Sequence, residues 1–311
     1  MRCASPHHSR RIILHLSELP MYWQTSRFQI DLDRPQVMGI VNVTPDSFSD
    51  GGSHATTAAA MRHCEQLIAE GADLLDIGGE STRPGAEPVG VAEELARVLP
   101  VVREAVRLGV PISVDTYKPQ VMRAVLDVGA DIVNDIWALR WAAASAPAKE
   151  ELSGADVVAR HPRCGVCLMH MYREPQTMQT APMTGDVVEQ VRDFLAEAAR
   201  QLEAMGVAKE RVLLDPGVGF GKTVAQNFAL LARQGELLAL GYPLLAAWSR
   251  KSSLAAMAAV GAERLEGVHD RMLPSVAAAL LAVERGARVV RVHDVSVTVS
   301  ALKVWAAAHI G

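Results

Sequence analysis

The sequence predicts an α/β protein, a single-domain (β/α)8 TIM barrel of eight parallel strands, each followed by a helix. Apolar segments of strand length alternate with helical patterns eight times between about residue 27 and the C-terminus. No linker or change of composition interrupts this alternation. Strict alternation produces a parallel sheet, and a count of eight favours the closed barrel over an open sheet. We therefore predict a barrel over residues 27–311, preceded by an extension over residues 1–26 that is disordered or in part upstream of a true start at Met21.

The predicted elements follow one another regularly. Each strand is a nearly continuous apolar run, as in a parallel sheet covered by helices on both faces. The clearest helix covers residues 184–205, where Val187, Val191, Leu195 and Leu202 fall on one face. The strands are predicted at residues 37–42, 73–79, 111–115, 131–136, 165–171, 211–214, 243–247 and 288–292. The helices are predicted at residues 55–69, 91–108, 119–128, 184–205, 225–233, 270–285 and 296–309, with one more inside 137–161.

Composition and charge exclude several classes of protein. Hydrophobic residues make up 50% of the 311 residues and charged residues 21%, with a formal net charge of -4. This balance is typical of a soluble globular protein and provides no broad basic surface for nucleic acid. No apolar run reaches the roughly 20 residues of a membrane span, and residues 1–20 lack a signal-peptide core. We expect a cytoplasmic protein with small-molecule substrates and with neither a nucleic-acid nor a membrane partner.

The four cysteines are scattered and form no disulfide framework, which indicates a reducing compartment. Cys164 and Cys167 have the CxxC spacing of redox and metal sites. They fall around the start of the fifth predicted strand, where residues three apart point to opposite faces. We expect neither a redox nor a metal role for this pair.

Polar side chains stand where the predicted strands end, which is where the chemistry of a barrel lies. Singly, each could be no more than the N-cap of the next helix, and this alternative stays open for Asp76, Asp135 and Asp294 in particular. Together they predict a pocket with two chemically distinct halves. The strand-end residues are Asn42, Asp76, Asp115, Asn134, Asp135, His170, Asp215, Ser249, Arg250, Lys251, Arg291, His293 and Asp294.

One half of the predicted pocket offers hydrogen-bond acceptors. Asp115, Asn134 and Asp215 supply carboxylate and amide groups that suit the edge of a flat heterocycle rich in N–H and C=O groups. A guanidine-like edge would suit Asp215 in particular. This half therefore predicts a binding site for a nitrogen heterocycle.

The other half offers positive charge. Arg291, His293 and Lys251 are suited to phosphate or pyrophosphate, because Arg can bind two oxygens at once. Asn42 presents an amide oxygen that a hard cation accepts, and Mg²⁺ takes few protein ligands when substrate phosphates complete its shell. The pocket thus predicts a heterocycle joined to a phosphate ester, with Mg²⁺.

Two glycine-rich loops belong to this pocket. Residues 217–223 resemble the phosphate loop of nucleotide hydrolases, but the spacing is one residue short. Their glycines could instead let the chain cross close over a flat ligand, with Phe220 lining the pocket. The loop at residues 44–52 is longer than a strand-to-helix connection needs, which indicates a functional loop. We predict a lid that carries Phe48 and hinges at residues 50–52, beside a fixed Asn42.

These motifs together resemble one family. Residues 38–52, ending in Asp50-Gly51-Gly52, are similar to the first signature of the dihydropteroate synthases, and residues 75–85 are similar to the second. Shorter matches follow in order at 113–116, 133–135, 169–171, 215–222, 249–252 and 291–295. The long loops are specific, and the resemblance runs from about residue 27 to the C-terminus.

The resemblance implies a transferase of folate biosynthesis and a sulfonamide target. Such an enzyme condenses 6-hydroxymethyl-7,8-dihydropterin pyrophosphate with 4-aminobenzoate, in the presence of Mg²⁺, to 7,8-dihydropteroate and pyrophosphate. It also implies a homodimer. By position, the pterin would be held by Asp115, Asn134, Met169, Asp215, Phe220 and Lys251, the pyrophosphate by Asn42, Arg291 and His293, and the aminobenzoate by Phe48, Thr82, Arg83, Pro84 and Ser252. The resemblance assigns catalysis to Asp115, Asp215, Lys251, Arg291 and His293, and a metal contact to Asn42.

The chain departs from the family pattern at three places. Residues 246–248 precede Ser249 where Gly is usual, Ser253 stands where Phe is usual, and residues 137–141 replace a small, Gly-containing segment. Two other functions remain open from the residues alone. A methyltransferase that presents methyltetrahydrofolate to a corrinoid partner shares the pterin-binding barrel but does not need the first two loops, and a non-catalytic pterin-binding protein would keep the same pocket.

Overall fold

The computed structural model describes residues 21–44, 52–81, 86–141, 152–174, 177–178, 182–258 and 271–309. The predicted lid with Phe48, the aminobenzoate residues Thr82, Arg83 and Pro84, and residues 1–20 lie outside these ranges. None of the helices in the described ranges is long and apolar enough to cross a membrane.

Eight parallel strands form a closed barrel. They are β3 (Gln36–Asn42), β4 (Leu74–Gly78), β5 (Ile112–Asp115), β6 (Ile132–Asp135), β7 (Gly165–Met169), β8 (Val212–Asp215), β9 (Leu245–Ala246) and β10 (Val289–Val292). Seven strand pairs are parallel in the order β8-β7-β6-β5-β4-β3-β10-β9. Closure comes from a parallel bridge between Leu214 of β8 and Leu244 before β9, where the Leu214 N–H donates to the Pro243 carbonyl at 3.0 Å. The predicted (β/α)8 barrel is confirmed.

Helices follow the strands and cover the barrel with a continuous apolar core between sheet and helices. The predicted helix at 184–205 begins three residues later, because Asp186 is its N-cap and accepts hydrogen bonds from the backbone N–H groups of Val188 and Glu189. The helices are α1 (Gly52–Ala69), α2 (Val91–Ala105), α3 (Pro119–Asp127), α4 (Gly154–Arg160), α5 (Val187–Ala204), α6 (Val224–Ala232), α7 (Gln234–Leu238), α8 (Ser252–Ala258), α9 (Met272–Glu284) and α10 (Val295–His309).

An N-terminal hairpin closes the amino-terminal end of the barrel. Its antiparallel strands are β1 (Tyr22–Gln24) and β2 (Gln29–Asp31). Trp23 is fully buried, and its indole Nε1–H donates to the Arg211 carbonyl at 2.9 Å. The ring packs in one apolar cluster with residues from inside the barrel, such as Met38 and Leu213. The folded unit therefore begins before residue 27, the boundary expected from the sequence, because this hairpin supplies the apolar plug.

The CxxC pair points in two directions, as the strand pattern predicts. Cys167 packs inside the barrel in the cluster that contains Trp23, whereas Cys164 packs in the outer core beneath the helices. Both are free and buried, and burial raises the pKa of each thiol. Neither side chain is placed to share a metal ion or a disulfide with the other.

Candidate active site

A network of buried polar side chains occupies the carboxyl ends of the central strands. Asp76 of β4 is fully buried and connects three neighbours. Its Oδ1 accepts from the Ser113 hydroxyl at 2.6 Å, and its Oδ2 accepts from Asn134 Nδ2 at 3.0 Å and from Arg291 Nε at 2.6 Å. The interpretation of Asp76 as a helix cap is wrong, since the carboxylate points into the barrel and organises this network.

Arg291 of β10 also pairs with Asp115 of β5, donating from Nη2 to Oδ2 at 2.9 Å. Burial raises the pKa of Asp115 to about 7, although the Arg291 guanidinium opposes this shift. Burial acts to lower the pKa of Arg291, but the carboxylates of Asp76 and Asp115 outweigh it and the pKa is raised. The predicted separation into an acceptor half and a basic half is therefore wrong at this point, because the guanidinium lies between two carboxylates.

Asp215 lies beside this network at the end of β8. It is buried, and its Oδ1 accepts from the Gly217 backbone N–H at 2.7 Å. Burial raises the pKa of Asp215, opposed by the Gly217 hydrogen bond and by Lys251 and Lys222. Strand register places Asp215 opposite Met169 of β7, and places Asn134 opposite Asp115. Two pairs of predicted pterin residues thus stand side by side, Asp115 with Asn134 and Met169 with Asp215.

A cavity of about 510 Å³ opens above the network. The predicted site residues that line it are Asn42, Asp115, Phe220, Lys251, Ser252, Arg291 and His293. Asn134, Met169 and Asp215 are buried next to these residues and are not among the lining side chains. Further lining residues are Ile40, Glu80, Ser81, Met178, Gly219, Ala247, Ser249, Arg250 and Arg271.

Basic side chains form one wall of this cavity. The Lys251 ammonium lies 4.4 Å from the centroid of the Phe220 ring, and the Ser249 hydroxyl is 2.9 Å from His293 Nδ1. Asp294 forms an ion pair at 2.7 Å with Arg250, a residue of this wall. Cations and donors on one wall are the groups that bind an oxyanion.

Residues 217–222 form a rigid loop rather than a phosphate cradle. The Lys222 ammonium is buried and points inward, donating to the carbonyls of Gly217 at 2.8 Å, Phe220 at 3.1 Å and His170 at 3.2 Å, and standing 2.9 Å from His170 Nδ1. Burial lowers the pKa of Lys222 to about 7, and burial with the Lys222 charge lowers the pKa of His170 to about 2. Lys222 is unavailable to a phosphate, so the nucleotide-hydrolase interpretation is not supported.

Known proteins share this sequence and barrel. The family model described as "Pterin binding enzyme" matches residues 38–293. A dihydropteroate synthase of Neisseria meningitidis serogroup B is 48% identical, over 92% of this chain and 96% of its own length. The chain belongs to the pterin-binding enzyme family, among its dihydropteroate synthases. The predicted transferase function, the synthesis of 7,8-dihydropteroate, is therefore confirmed at the level of the family.

Solved dihydropteroate synthases have the same architecture. The enzyme of Xanthomonas albilineans, solved with 4-aminobenzoic acid, has a TM-score of 0.81 and 49% identity, and covers 91% of this chain and 96% of its own. The enzyme of Burkholderia cenocepacia, complexed with 7,8-dihydropteroate, has a TM-score of 0.79 and 48% identity, and covers 94% of this chain and 98% of its own.

Two parts of the site were not predicted from the sequence. The first is Glu80, a cavity residue that pairs with Lys118, which in turn reaches Glu94 Oε2 at 2.5 Å. Glu80 lies two residues beyond the end of β4, so a search of strand ends does not find it. The second is Arg271, the N-cap of α9, which lines the cavity from the start of a helix rather than from the end of a strand.

The departures from the family pattern have physical places in the fold. Trp137 and Trp141 pack against Tyr117, with ring centroids 6.4 and 5.3 Å from it, in a cluster beside Met169 and Phe220. Trp248 is buried against Phe228 of α6, with ring centroids 5.3 Å apart, behind the cavity wall.

In the part of the chain that the structure describes, no group of three or more His, Cys, Asp or Glu residues could hold a metal ion.

Proposed function

We propose that the protein condenses 6-hydroxymethyl-7,8-dihydropterin pyrophosphate with 4-aminobenzoate in this cavity. The cavity residues then divide into three regions, which bind the pterin, the pyrophosphate and the 4-aminobenzoate. The observation that carries this proposal is the hydrogen-bonded network of Asp76, Asp115 and Arg291 at the floor of a cavity with a basic wall. The carboxylates at this floor can bind a polar heterocycle, and Arg291 together with the basic wall can bind its pyrophosphate.

The pterin binds above strands β5 to β8. Asp115, Asn134 and Asp215 provide acceptors and one amide donor for the heterocycle edge, and the burial of Asn134 and Asp215 makes their hydrogen bonds strong. Phe220 lies against the face of the ring, with the Lys251 ammonium nearby. Met169 of β7 supports the pterin from below, next to Asp215 in the strand register.

The pyrophosphate binds to Arg291, His293 and Asn42, which line the same cavity. The side-chain amide of Asn42, at the end of β3, is the kind of oxygen donor that Mg²⁺ accepts when phosphate oxygens complete its shell. The donor set therefore fits a magnesium ion that arrives with the substrate. When bound, the ion supplies positive charge that stabilises the departing oxygens.

The 4-aminobenzoate binds at Ser252, together with Phe48, Thr82, Arg83 and Pro84. Ser252 lines the cavity at the start of α8. Glu80 and Ser81, which lead toward residues 82–84, line the same cavity, which supports placing this substrate on that side. Sulfonamides carry the same aniline ring with a sulfonyl group in place of the carboxylate, so we propose that they compete here.

Catalysis is mainly electrostatic. The bond between the pterin methylene carbon and the pyrophosphate oxygen breaks, and the pyrophosphate takes the electron pair. The amine nitrogen of 4-aminobenzoate forms the new bond to the same carbon and loses a proton. Arg291 and His293 stabilise the negative charge of the leaving group, while Asp115 and Asp215 stabilise positive charge on the pterin. Lys251 helps to hold the pterin, and the lid at 44–52 excludes water.

Product analysis tests this function. We expect purified protein, given both substrates and Mg²⁺, to form 7,8-dihydropteroate and pyrophosphate in equal amounts, measured by mass spectrometry and a phosphate assay. A chelator should abolish the reaction, and added Mg²⁺ should restore it. Formation of product at an undiminished rate with chelator would remove Mg²⁺ from the proposal. The absence of dihydropteroate under all conditions would refute the function.

We also propose that the enzyme is a homodimer of the cytoplasm. The outer surfaces of α9 and α10, which pack together, expose Leu273 at 76% and Val304 at 72%. Exposed apolar side chains on neighbouring helices suit a second copy of the chain. Light scattering should give twice the 33.4 kDa of one chain, and Leu273→Glu should give 33.4 kDa. A monomeric wild-type protein would refute the dimer. The free cysteines are consistent with the cytoplasm.

A further inference from the structure

The loop at residues 217–222 is held rigidly against β7. Lys222 anchors it from inside, through its hydrogen bonds to Gly217, Phe220 and His170. From the other side, the loop touches β7 so closely that a Cβ on Gly217 would stand 1.9 Å from the His170 carbonyl oxygen. The loop therefore presents Gly219 and Phe220 to the cavity as a fixed wall.

Asn227 of α6 connects this wall to the start of α8. Its side-chain oxygen accepts from the Gly219 backbone N–H at 2.9 Å, and its Nδ2 donates to the Ser253 hydroxyl at 2.8 Å. Asn227 is 1% exposed and Ser253 is 4% exposed, so neither group can exchange its partner for water. One buried amide thus joins two segments of the cavity wall that are far apart in sequence.

Residues at both ends of this link contribute to the lining of the cavity. Gly219 and Phe220 form one side, and Lys251 and Ser252, directly before Ser253, form the other. The Lys251 ammonium lies over the Phe220 ring, so the two sides also meet within the cavity. A shift of Ser253 would therefore move Ser252 and Lys251 relative to the pterin wall.

We propose that Asn227 and Ser253 are positioning residues that fix the aminobenzoate wall at Lys251 and Ser252 relative to the pterin wall at Gly219 and Phe220. This inference rests on the proposed binding of 4-aminobenzoate at Ser252. It assigns the serine hydroxyl a role in the geometry between two substrates, without contact to either one.

Steady-state kinetics with both substrates tests the link. Ser253→Ala should raise the KM for 4-aminobenzoate about 3- to 10-fold, the range expected for one lost buried hydrogen bond, with kcat and the KM for the pterin pyrophosphate within about twofold. A purely structural defect would reduce the amount of active enzyme and hence kcat, without changing either KM. Ser300→Ala, an exposed serine on α10, is the control and should behave as wild type.

A double-mutant cycle keeps the inference falsifiable if packing also changes. Asn227→Ala should raise the KM for 4-aminobenzoate, and the double variant with Ser253→Ala should raise it no further, because both changes break one link. The inference would be overturned if the double variant raised the KM for 4-aminobenzoate by the product of the two single fold-changes. It would also be overturned if Ser253→Ala had the wild-type KM. The wild-type enzyme separates failure of this inference from failure of the proposed function. If the proposed function were wrong, the wild-type protein itself would form no dihydropteroate.

Discussion

Asp215 carries the most specific prediction for a single side chain. The carboxylate is buried at the end of β8, where we assign it to the pterin edge. Asp215→Asn preserves its size but replaces one acceptor oxygen with a donor, which cannot pair with an N–H of the ligand. We expect kcat/KM for the pterin pyrophosphate to fall by about 100-fold or more, measured by pyrophosphate release. Asp193→Asn, an exposed change on α5, should have no effect, and near-normal turnover of Asp215→Asn would remove Asp215 from the pterin role.

Asp135 predicts a pH dependence of stability. It is fully buried and accepts hydrogen bonds from the backbone N–H groups of Trp137 at 2.8 Å and Leu139 at 2.7 Å. Burial raises its pKa from 3.8 to about 7, so the folded state binds this proton more tightly than the unfolded state. The stabilisation is complete below pH 3.8 and is lost as the pH rises through 7.

Asp135→Asn removes this titration and gives the measurement. The free energy of unfolding of the wild type minus that of Asp135→Asn should fall between pH 4 and pH 7 by up to about 4 kcal/mol and then stay level. Urea unfolding at several pH values measures this difference, in which the other titrating groups cancel. A difference independent of pH would show that the buried carboxyl is not the source.

Single residues also show what the sequence can and cannot predict. Asn42, Asp115, Arg291 and His293 could be assigned to one pocket because strand ends converge in a barrel. Asp76 could not be told from a helix cap, since both roles place a carboxylate after a strand, and only the three-dimensional network distinguishes them. The pairing of Arg291 with two carboxylates was likewise hidden, because β10 lies beside β3 in the sheet, whereas Asp76 and Asp115 are on β4 and β5, which do not pair with β10.

The N-terminal hairpin should contribute substantially to the stability of the barrel, because it fills the amino-terminal end of the barrel interior. Trp23 lies fully buried in the cluster inside the barrel and donates to the Arg211 carbonyl. Trp23→Ala should reduce the free energy of unfolding by about 3–5 kcal/mol, the usual cost of truncating a buried aromatic residue. Trp23→Phe should cost less, because most of the apolar contact remains. Denaturant unfolding measures both, and a wild-type value for Trp23→Ala would contradict the role of the hairpin as a plug.

The loop at 217–222 provides a prediction about backbone geometry. Gly217 has a φ of +67°, and a Cβ there would stand 1.9 Å from the His170 carbonyl oxygen. Gly217→Ala must displace the loop that carries Phe220, so we expect turnover to fall at least about 10-fold and Tm to fall with it. Gly235→Ala is the matched control, since no atom lies within 4 Å of its Cβ position. Equal behaviour of the two variants would contradict the tight contact.

Elements were predicted well where periodicity is strong and poorly where contacts decide. The helix at α5 was evident from its apolar stripe, and its start moved only to the residue that Asp186 caps. The short β1 and β2 strands of three residues each have no pattern of their own, because their structure depends on Trp23 entering the barrel. Helix α7 was missed for the same reason, since five residues are too few for a periodic signal.

At the scale of the whole molecule, eight strand–helix repeats were sufficient to predict the barrel, and barrel topology then determined where the site lies. The long loops that carry the family resemblance gave the reaction, which composition and charge alone could not. Distances between elements, such as the Asn227 link from Gly219 to Ser253, depend on packing between helices and have no signature in sequence. The fold was thus predictable, the set of site residues largely so, and their hydrogen-bond partners were not.

We propose that one cavity binds both substrates and transfers the pterin from the pyrophosphate to the amine. The decisive measurement is pyrophosphate release from the pterin pyrophosphate, with and without 4-aminobenzoate. We expect multiple turnovers only when both substrates are present, with one dihydropteroate formed for each pyrophosphate. Release at the same rate without 4-aminobenzoate, or no release with it, would contradict the account.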